Sequence, residues 1–505
     1  MNNEEKLPEL TKEEQLPELK APFAVVLIVV LIGGFMSMLD SSIVNVAISP
    51  LMTAFGVSAD QIDWVLTVYM LVLGVVVPMS GWLSDYFGLK KFYLISLAVF
   101  TVGSLFCAMS WNVPSLTFAR AIQAIGGGMI MPVTMAMIYK ITPRKNIGKA
   151  MAGYGMVFVV APAVGPTIGG YLVEFVGWRW IFTINLPIGI AGLVLGYLLI
   201  PKMTGEKPGK FDVAGALLSA AGMFCILFVL SEGNAWGWTS MKTILMIYAS
   251  IVFMGAFVWW QLKNPEPLLD LRIFKNLNFT LGNLGLVFIT IGMYGVLFFI
   301  PIFLQAIRGM GALDVGLLML VPALVSGVAM PLSGVLYDRV GPRVPASIGV
   351  IILAYSTFMF CNLDIDTSTS FIVFWNSIRS IGMGLAMMPI QTALMSEIPA
   401  DKVSRASAIT NIISRVSGAF GIAILTIFMS QRTAYHSAML SWQVTPDNVI
   451  FNSGLPMETT MGILGKAVFQ TSYVRAMNDV FIFTGIVTIF AIFSVILLKK
   501  GELKK

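Results

Sequence analysis

Charge is the scarcest commodity in this chain. Asp, Glu, Lys and Arg make up only 11% of its 505 residues, where a soluble domain carries about 25%. A chain this long cannot cover a water-facing surface with so few charges. Histidine occurs once, at His436, in what reads as an outer loop, and one imidazole builds neither a metal site nor a catalytic cluster. The three cysteines, Cys107, Cys225 and Cys361, have no metal-binding spacing and read as packing. An integral-membrane enzyme would need interfacial clusters of His, Cys, Asp or Glu, and the sequence has none. Residues 1–22 lack the short apolar core and cleavage site of a signal peptide. They are acidic and polar, with a near-repeat of Glu4-Glu5-Lys6-Leu7-Pro8-Glu9-Leu10 at Glu13-Glu14-Gln15-Leu16-Pro17-Glu18-Leu19, and read as a disordered cytoplasmic tail.

What the chain has is oil. Hydrophobic residues make up 57% of it, and the mean hydropathy is +0.85. Fourteen apolar runs are each long enough for a hydrocarbon core of ~30 Å. They read as helices, because a segment in lipid must satisfy its own backbone hydrogen bonds. Of 32 Lys and Arg residues, 23 fall in the tail, the even-numbered turns and the C-terminal end, six in the opposite loops and three inside spans. By the positive-inside rule both termini are then cytoplasmic. The net charge of +6 therefore reflects topology, and no nucleic-acid partner follows from it.

The three basic residues inside spans are Arg120, Arg379 and Arg415, and the only carboxylate deep in a span is Asp40. An ionisable group in the bilayer costs at least ~2.5–3.5 kcal/mol on insertion scales and reads as functional by default. Asp40 stands roughly 15 Å below the outer end of its helix and Arg120 roughly 9 Å down its own, so the two can meet. Pairing favours the charged acid and exclusion from water the neutral one. A switch between those settings would load and release a proton. The polar groups Asn45, Thr67, Tyr69, Gln123, Tyr154, Asn185, Asn283, Tyr294 and Gln391 offer substrate contacts within spans. Gln123, three residues after Arg120, shares its helix face. The 32 Met and 34 Phe supply polarisable walls, although most of them must face lipid or pack helices.

The chain also repeats itself. Gly81, Asp85 and Gly88 follow the second span, and Gly334, Asp338 and Gly341 follow the tenth at the same spacing, 253 residues on. Arg120 and Arg379 each precede a glycine-rich stretch. Two homologous halves of six spans are a carrier signature, with the site between the halves. The expected architecture is an all-α integral membrane protein: two pseudo-symmetric six-helix bundles, 23–201 and 279–498, with two extra spans in 202–278 at the periphery. A long outer loop at 432–476 and a cytoplasmic tail at 499–505 complete it. The repeated turns read as a latch made and broken as the halves rock.

These features resemble the major facilitator superfamily, and within it the fourteen-span drug:proton antiporters of the EmrB/QacA type. The first-span run Leu39-Asp40-Ser41-Ser42-Ile43-Val44-Asn45-Val46-Ala47 is similar to that group's acidic motif. Trp64-Val65-Leu66-Thr67-Val68-Tyr69 resembles its second span. Pro162, Gly165, Pro166, Gly169 and Gly170 resemble its antiporter motif, and Trp178-Arg179-Trp180-Ile181-Phe182 with Asn185, Pro187 and Gly189 its outer loop and sixth span. Ser49 before Pro50 and Ala161 in span five depart from the pattern by small changes. Asp63 before Trp64 departs too, and reads either as a helix N-terminal acid in water or as a second titrating or cation-attracting group at the outer mouth. The resemblance implies a multi-pass protein of the cell membrane that exports lipophilic, cationic drugs or toxic compounds in exchange for protons and confers antibiotic resistance. It implies proton coupling at Asp40 and Arg120, a role for span five in preventing leak, and no cofactor beyond the proton gradient. Its partners would be the lipophilic substrate, protons and membrane lipid; no motif specifies an adaptor protein. A lipid or glycolipid exporter on the same fold is the alternative.

Overall fold

A computed structural model of the chain describes residues 19–143, 146–203, 209–399, 401–442 and 457–499. Among the described residues there is no strand. The α-helices run α1 Phe23–Phe55, α2 Ala59–Phe87, α3 Leu89–Ala108, α4 Val113–Ile141, α5 Ile147–Phe175, α6 Trp180–Thr183, α7 Asn185–Leu199, α8 Val213–Trp236, α9 Met241–Lys263, α10 Leu277–Ile302, α11 Ala312–Val340, α12 Arg343–Met359, α13 Thr369–Met395, α14 Val403–Ser441 and α15 Met457–Ile496. With α6 and α7 in one span, fourteen helical segments are long and apolar enough to cross a bilayer.

Local signals set the ends. Asn112 accepts a hydrogen bond from the Ser115 amide with Pro114 just inside α4, Asp212 caps α8 through the Gly215 amide, and Ser368 caps α13 through the Phe371 amide. Gly88 and Gly341 end α2 and α11 at φ 78° and 80°, a backbone setting costly for other residues.

Helices α1–α7 form one half and α10–α15 the other, each packed by glycine. A β-carbon on Gly103 of α3 would meet the Gln123 backbone at 2.5 Å, and one on Gly382 of α13 would meet the Leu353 amide nitrogen at 2.7 Å. Pairs α3–α4 and α12–α13 thus approach closely at equivalent places. The halves meet along α5–α11 and α2–α14, with further contacts of α4 on α14 and α5 on α13.

Two expectations change. The 432–476 segment is mostly helical rather than loop: α14 runs on to Ser441 and α15 begins at Met457, leaving 443–456 outside the described residues. Helix α8 is also not merely peripheral. It packs on α2, α14 and α9, and the Ser231 and Thr67 hydroxyls lie 3.1 Å apart. It covers a seam between the halves, while α9 stands outside it. Asp212 anchors this pair from the adjoining turn, accepting hydrogen bonds from the Gly215 amide, Trp260 and Gln261, all at 2.8 Å. Burial raises its pKa, but those bonds outweigh it and hold the carboxyl below its ordinary range.

Candidate functional site

The buried centre of the first half is built on one carboxylate. Asp40 of α1 and Arg120 of α4 are both fully buried, with Nη1 2.5 Å from Oδ2. The same Nη1 donates to Gln123 Oε1 at 2.7 Å. Gln123 Nε2 donates to Asp40 Oδ1 at 2.8 Å and to Ser104 Oγ at 2.7 Å. Asn185 Nδ2, from α7, donates to Oδ1 at 3.0 Å. Three side chains from two helices therefore grip both oxygens of the acid. The Arg120 guanidinium carbon lies 3.7 Å from the centre of the Tyr69 ring, a cation–π contact in a desolvated place. Arg120 Nε and Nη2 have no hydrogen-bond partner. Because charge-assisted bonds are strong where water is absent, this cluster is held firmly as drawn.

Of the residues singled out from the sequence, Asp40, Arg120, Tyr69, Gln123 and Asn185 come together here. Tyr154 and Tyr294 gather elsewhere, around Arg415. Thr67 turns to Ser231 and to Asp63, and Asp63 itself is exposed. Asn45 is exposed and outside the cluster. Gln391 lies where α4 meets α13: the Tyr139 hydroxyl donates to the carbonyls of Gln391 at 3.3 Å and Thr392 at 3.1 Å. Asn283 donates to the Phe279 carbonyl of its own helix. Sequence reasoning missed Ser104 and Cys107 of α3, the latter 3.6 Å from Gln123 Oε1. Their only signal is a helical spacing that puts both on the face toward α4.

The span-five motif packs beside the acid. A β-carbon on Gly165 would overlap the Ser42 side chain, and one on Gly169 would meet Ile43 Cγ1 at 2.8 Å. Ser42 and Ile43 follow Asp40 within a turn, so α5 presses on the segment that carries it. The repeated turns also meet the opposite half. Asp85 pairs with Arg405 of α14 at 3.5 Å, and a β-carbon on Gly148 of α5 would come within 2.6 Å of Asp338 Oδ1. Each turn thus abuts the start of a helix in the other half. Further on, the Ser407 hydroxyl donates to the Pro132 carbonyl at 2.7 Å. The bundle is closed at the face carrying the basic turns.

The second half lacks the acid. Met293 stands where Asp40 would be by the 253-residue offset. Arg379, the counterpart of Arg120, donates instead to the backbone carbonyls of Met293 at 2.9 Å and Gly292 at 3.4 Å. The pseudo-symmetry extends to the arginine but not to its carboxylate.

A polytopic helical bundle of two repeats, with an ionisable pair buried in one, is the architecture of a secondary transporter. The chain belongs to the Major Facilitator Superfamily, whose pattern it matches over residues 30–422, and it is a transporter rather than an enzyme. It is 34% identical over 502 residues to an uncharacterised MFS-type transporter, YhcA, of Bacillus subtilis, covering 95% of this chain and 94% of that one. It is 33% identical to the lincomycin resistance protein LmrB of Listeria monocytogenes, over 80% of this chain and 86% of that one. Among solved structures, the human organic anion transporter MFSD10 superposes with a TM-score of 0.63 at 11% identity, covering 94% of this chain and 100% of the other. That likeness shows the fold alone.

Proposed function

We propose that this transporter exports lipophilic, drug-like compounds across the cell membrane in exchange for protons, by alternating access, with both termini in the cytoplasm. The observation that carries the reading is Asp40, a fully buried carboxylate gripped by Arg120, Gln123 and Asn185. While the grip holds, the acid is paired with Arg120. If rocking of the halves withdraws Arg120, an unpaired buried carboxylate is too costly and takes a proton. The α5 motif against Ser42 and Ile43 supports this: α5 also packs on α11 of the second half, so movement between the halves would be felt at Asp40. Relatives named for lincomycin and multidrug resistance support a drug-like substrate. A cationic substrate could be met by aromatic faces through cation–π contact or by a free carboxylate. Asp40 is engaged on both oxygens, so the substrate's charge falls to whichever groups remain uncommitted.

The test is transport by purified protein in vesicles with an imposed pH gradient. Wild type should accumulate substrate only with the gradient, and Asp40→Asn should lose at least tenfold of that transport. Equal gradient-driven transport by Asp40→Asn would overturn the assignment.

A further inference from the structure

Among the described residues, Arg415 is an arginine inside a span that faces no carboxylate and has no hydrogen-bond partner at Nε. It lies twelve residues into α14, roughly 18 Å along the helix, near the middle of a hydrocarbon core of ~30 Å. Arg120 is spent on Asp40 and Arg379 on two carbonyls. Among the described residues no carboxylate lies within electrostatic range of Arg415; the groups that do are Tyr69, Tyr154 and Tyr294. Its Nε has no hydrogen-bond partner. It also differs from the other two in exposure. Arg120 is 0% and Arg379 4% exposed, whereas Arg415 is only partly buried despite its depth. Its guanidinium is thus less tightly enclosed by protein than the other two.

The surroundings are those of a receptor. Tyr69 and Tyr154 come from α2 and α5 of the first half, and Tyr294 and Arg415 from α10 and α14 of the second, so the cluster straddles the seam that must open in transport. Tyr154 lies beside Asn411, one turn before Arg415 on the same helix. A β-carbon on Gly418 would lie 2.6 Å from the Tyr294 ring; glycine there lets the ring rest on α14 beside Arg415. Phe158, with its ring 5.3 Å from that of Tyr154, and Met330, 3.3 Å from a β-carbon placed on Gly155, add apolar wall. A guanidinium offers paired, parallel donors that suit a carboxylate or phosphate, phenols add single donors, and aromatic and thioether walls accept a lipophilic body.

We propose that Arg415 is the anion-recognition point of the transport path, and that the substrate is an amphiphilic monoanion: a lipophilic body carrying one carboxylate or similar acidic oxygen group. This rests on the exporter reading and names its substrate class. The ligand supplies the charge that the protein withholds, which explains why an unpaired cation persists where it is costly. Tyr69 joins the two sites, since its ring stacks on Arg120 while it lies within range of Arg415. An anion bound at Arg415 is thereby felt at the Asp40 pair. Exchange of one monoanion outward for one proton inward moves two charges, so an inside-negative potential drives export as well as the pH gradient.

The experiment compares pyrenebutyrate with pyrenebutylammonium, bodies alike but opposite in charge. Binding to full-length protein in detergent and uptake in vesicles are measured for wild type, Arg415→Gln and Arg415→Lys. Wild type should bind the anion at least tenfold more tightly than the cation. Arg415→Gln should erase that preference, and Arg415→Lys should keep part of it; retention of the charge with loss of the fork separates recognition from folding. Asp40→Asn should lose gradient-driven transport of the anion. Competition by dioleoylphosphatidylglycerol that disappears in Arg415→Gln would assign the site to lipid headgroups, and its absence to free amphiphilic acids; both support an anion site. Equal or tighter binding of the cation, or an anion preference unchanged in Arg415→Gln, would overturn the proposal. If pyrenebutylammonium alone is pumped in a gradient-dependent way, the substrate class is wrong and the exporter reading stands. If neither compound responds to the gradient, the exporter reading itself fails.

Discussion

Asp40 makes its case through what removing it would leave behind. Asp40→Asn keeps an oxygen for Gln123 and Asn185 but strands Arg120, fully buried, without a counter-charge. Breaking a buried pair from one side costs about 3–5 kcal/mol, and the retained acceptor should trim this toward the lower end. The double change Asp40→Asn with Arg120→Gln removes both charges and should recover most of the loss, read as a melting temperature near wild type in detergent. If the single variant melts as wild type does, the pair is not the anchor its geometry suggests. At this scale the sequence showed the acid and the arginine. It could not show that Tyr69 is the platform under Arg120, because a tyrosine on α2 and an arginine on α4 meet only through the packing of three helices.

The two turns around Asp85 and Asp338 show how an element can be read from a repeat and still be understood only in part. The basic residue of each copy caps the last helix of its own half. Lys90 Nζ donates to the carbonyls of Tyr197 at 2.7 Å and Ile200 at 2.6 Å at the end of α7. Its counterpart 253 residues on, Arg343, donates to the Leu498 carbonyl just beyond α15. Cations at helix C-termini are favourable by about 0.3–1 kcal/mol. The acids reach across to the other half, Asp85 to Arg405 and Asp338 toward Gly148. Cap and latch therefore divide along the turn. Asp85→Asn should slow transport severalfold with unchanged melting temperature, whereas Lys90→Gln should lower stability by up to about 1 kcal/mol and spare the transport rate per folded molecule. A reversed pattern in those two assays would assign the roles the other way. Within α5, Gly165→Val should clash with Ser42 and should collapse a pH gradient across vesicles faster than wild type does, if the motif seals the path.

For the whole molecule, the structure is closed at the basic face, and the alternating access proposed above requires that face to open. Gly81→Cys with Arg405→Cys would place a thiol where the Gly81 β-carbon lies 3.1 Å from the Arg405 Cα. Oxidation should arrest transport and reduction should restore it. Full activity with the bond formed would mean that this face does not open. Orientation has its own check: Lys207→Cys and Gly501→Cys should react with an impermeant maleimide only from the cytoplasm, and Ser453→Cys only from outside. All three lie outside the described residues, so the outcome rests on the charge asymmetry alone.

Composition and order decided the rest of what could be known early. A chain with 11% charged residues and long apolar runs has no stable option but helices in lipid. A glycine–acid–glycine turn recurring at one offset implies two halves, because the physics of insertion, capping and repetition is local along the chain. Tertiary packing decided which polar groups share a site. It engaged Asp40 on both oxygens rather than leaving it free for a cation, and it gave Arg379 two carbonyls where a second acid would stand. It set α8 over a seam and left Arg415 among three tyrosines drawn from both halves. Those outcomes depend on helix rotation and on glycine contacts between elements tens to hundreds of residues apart. No local pattern encodes that distance.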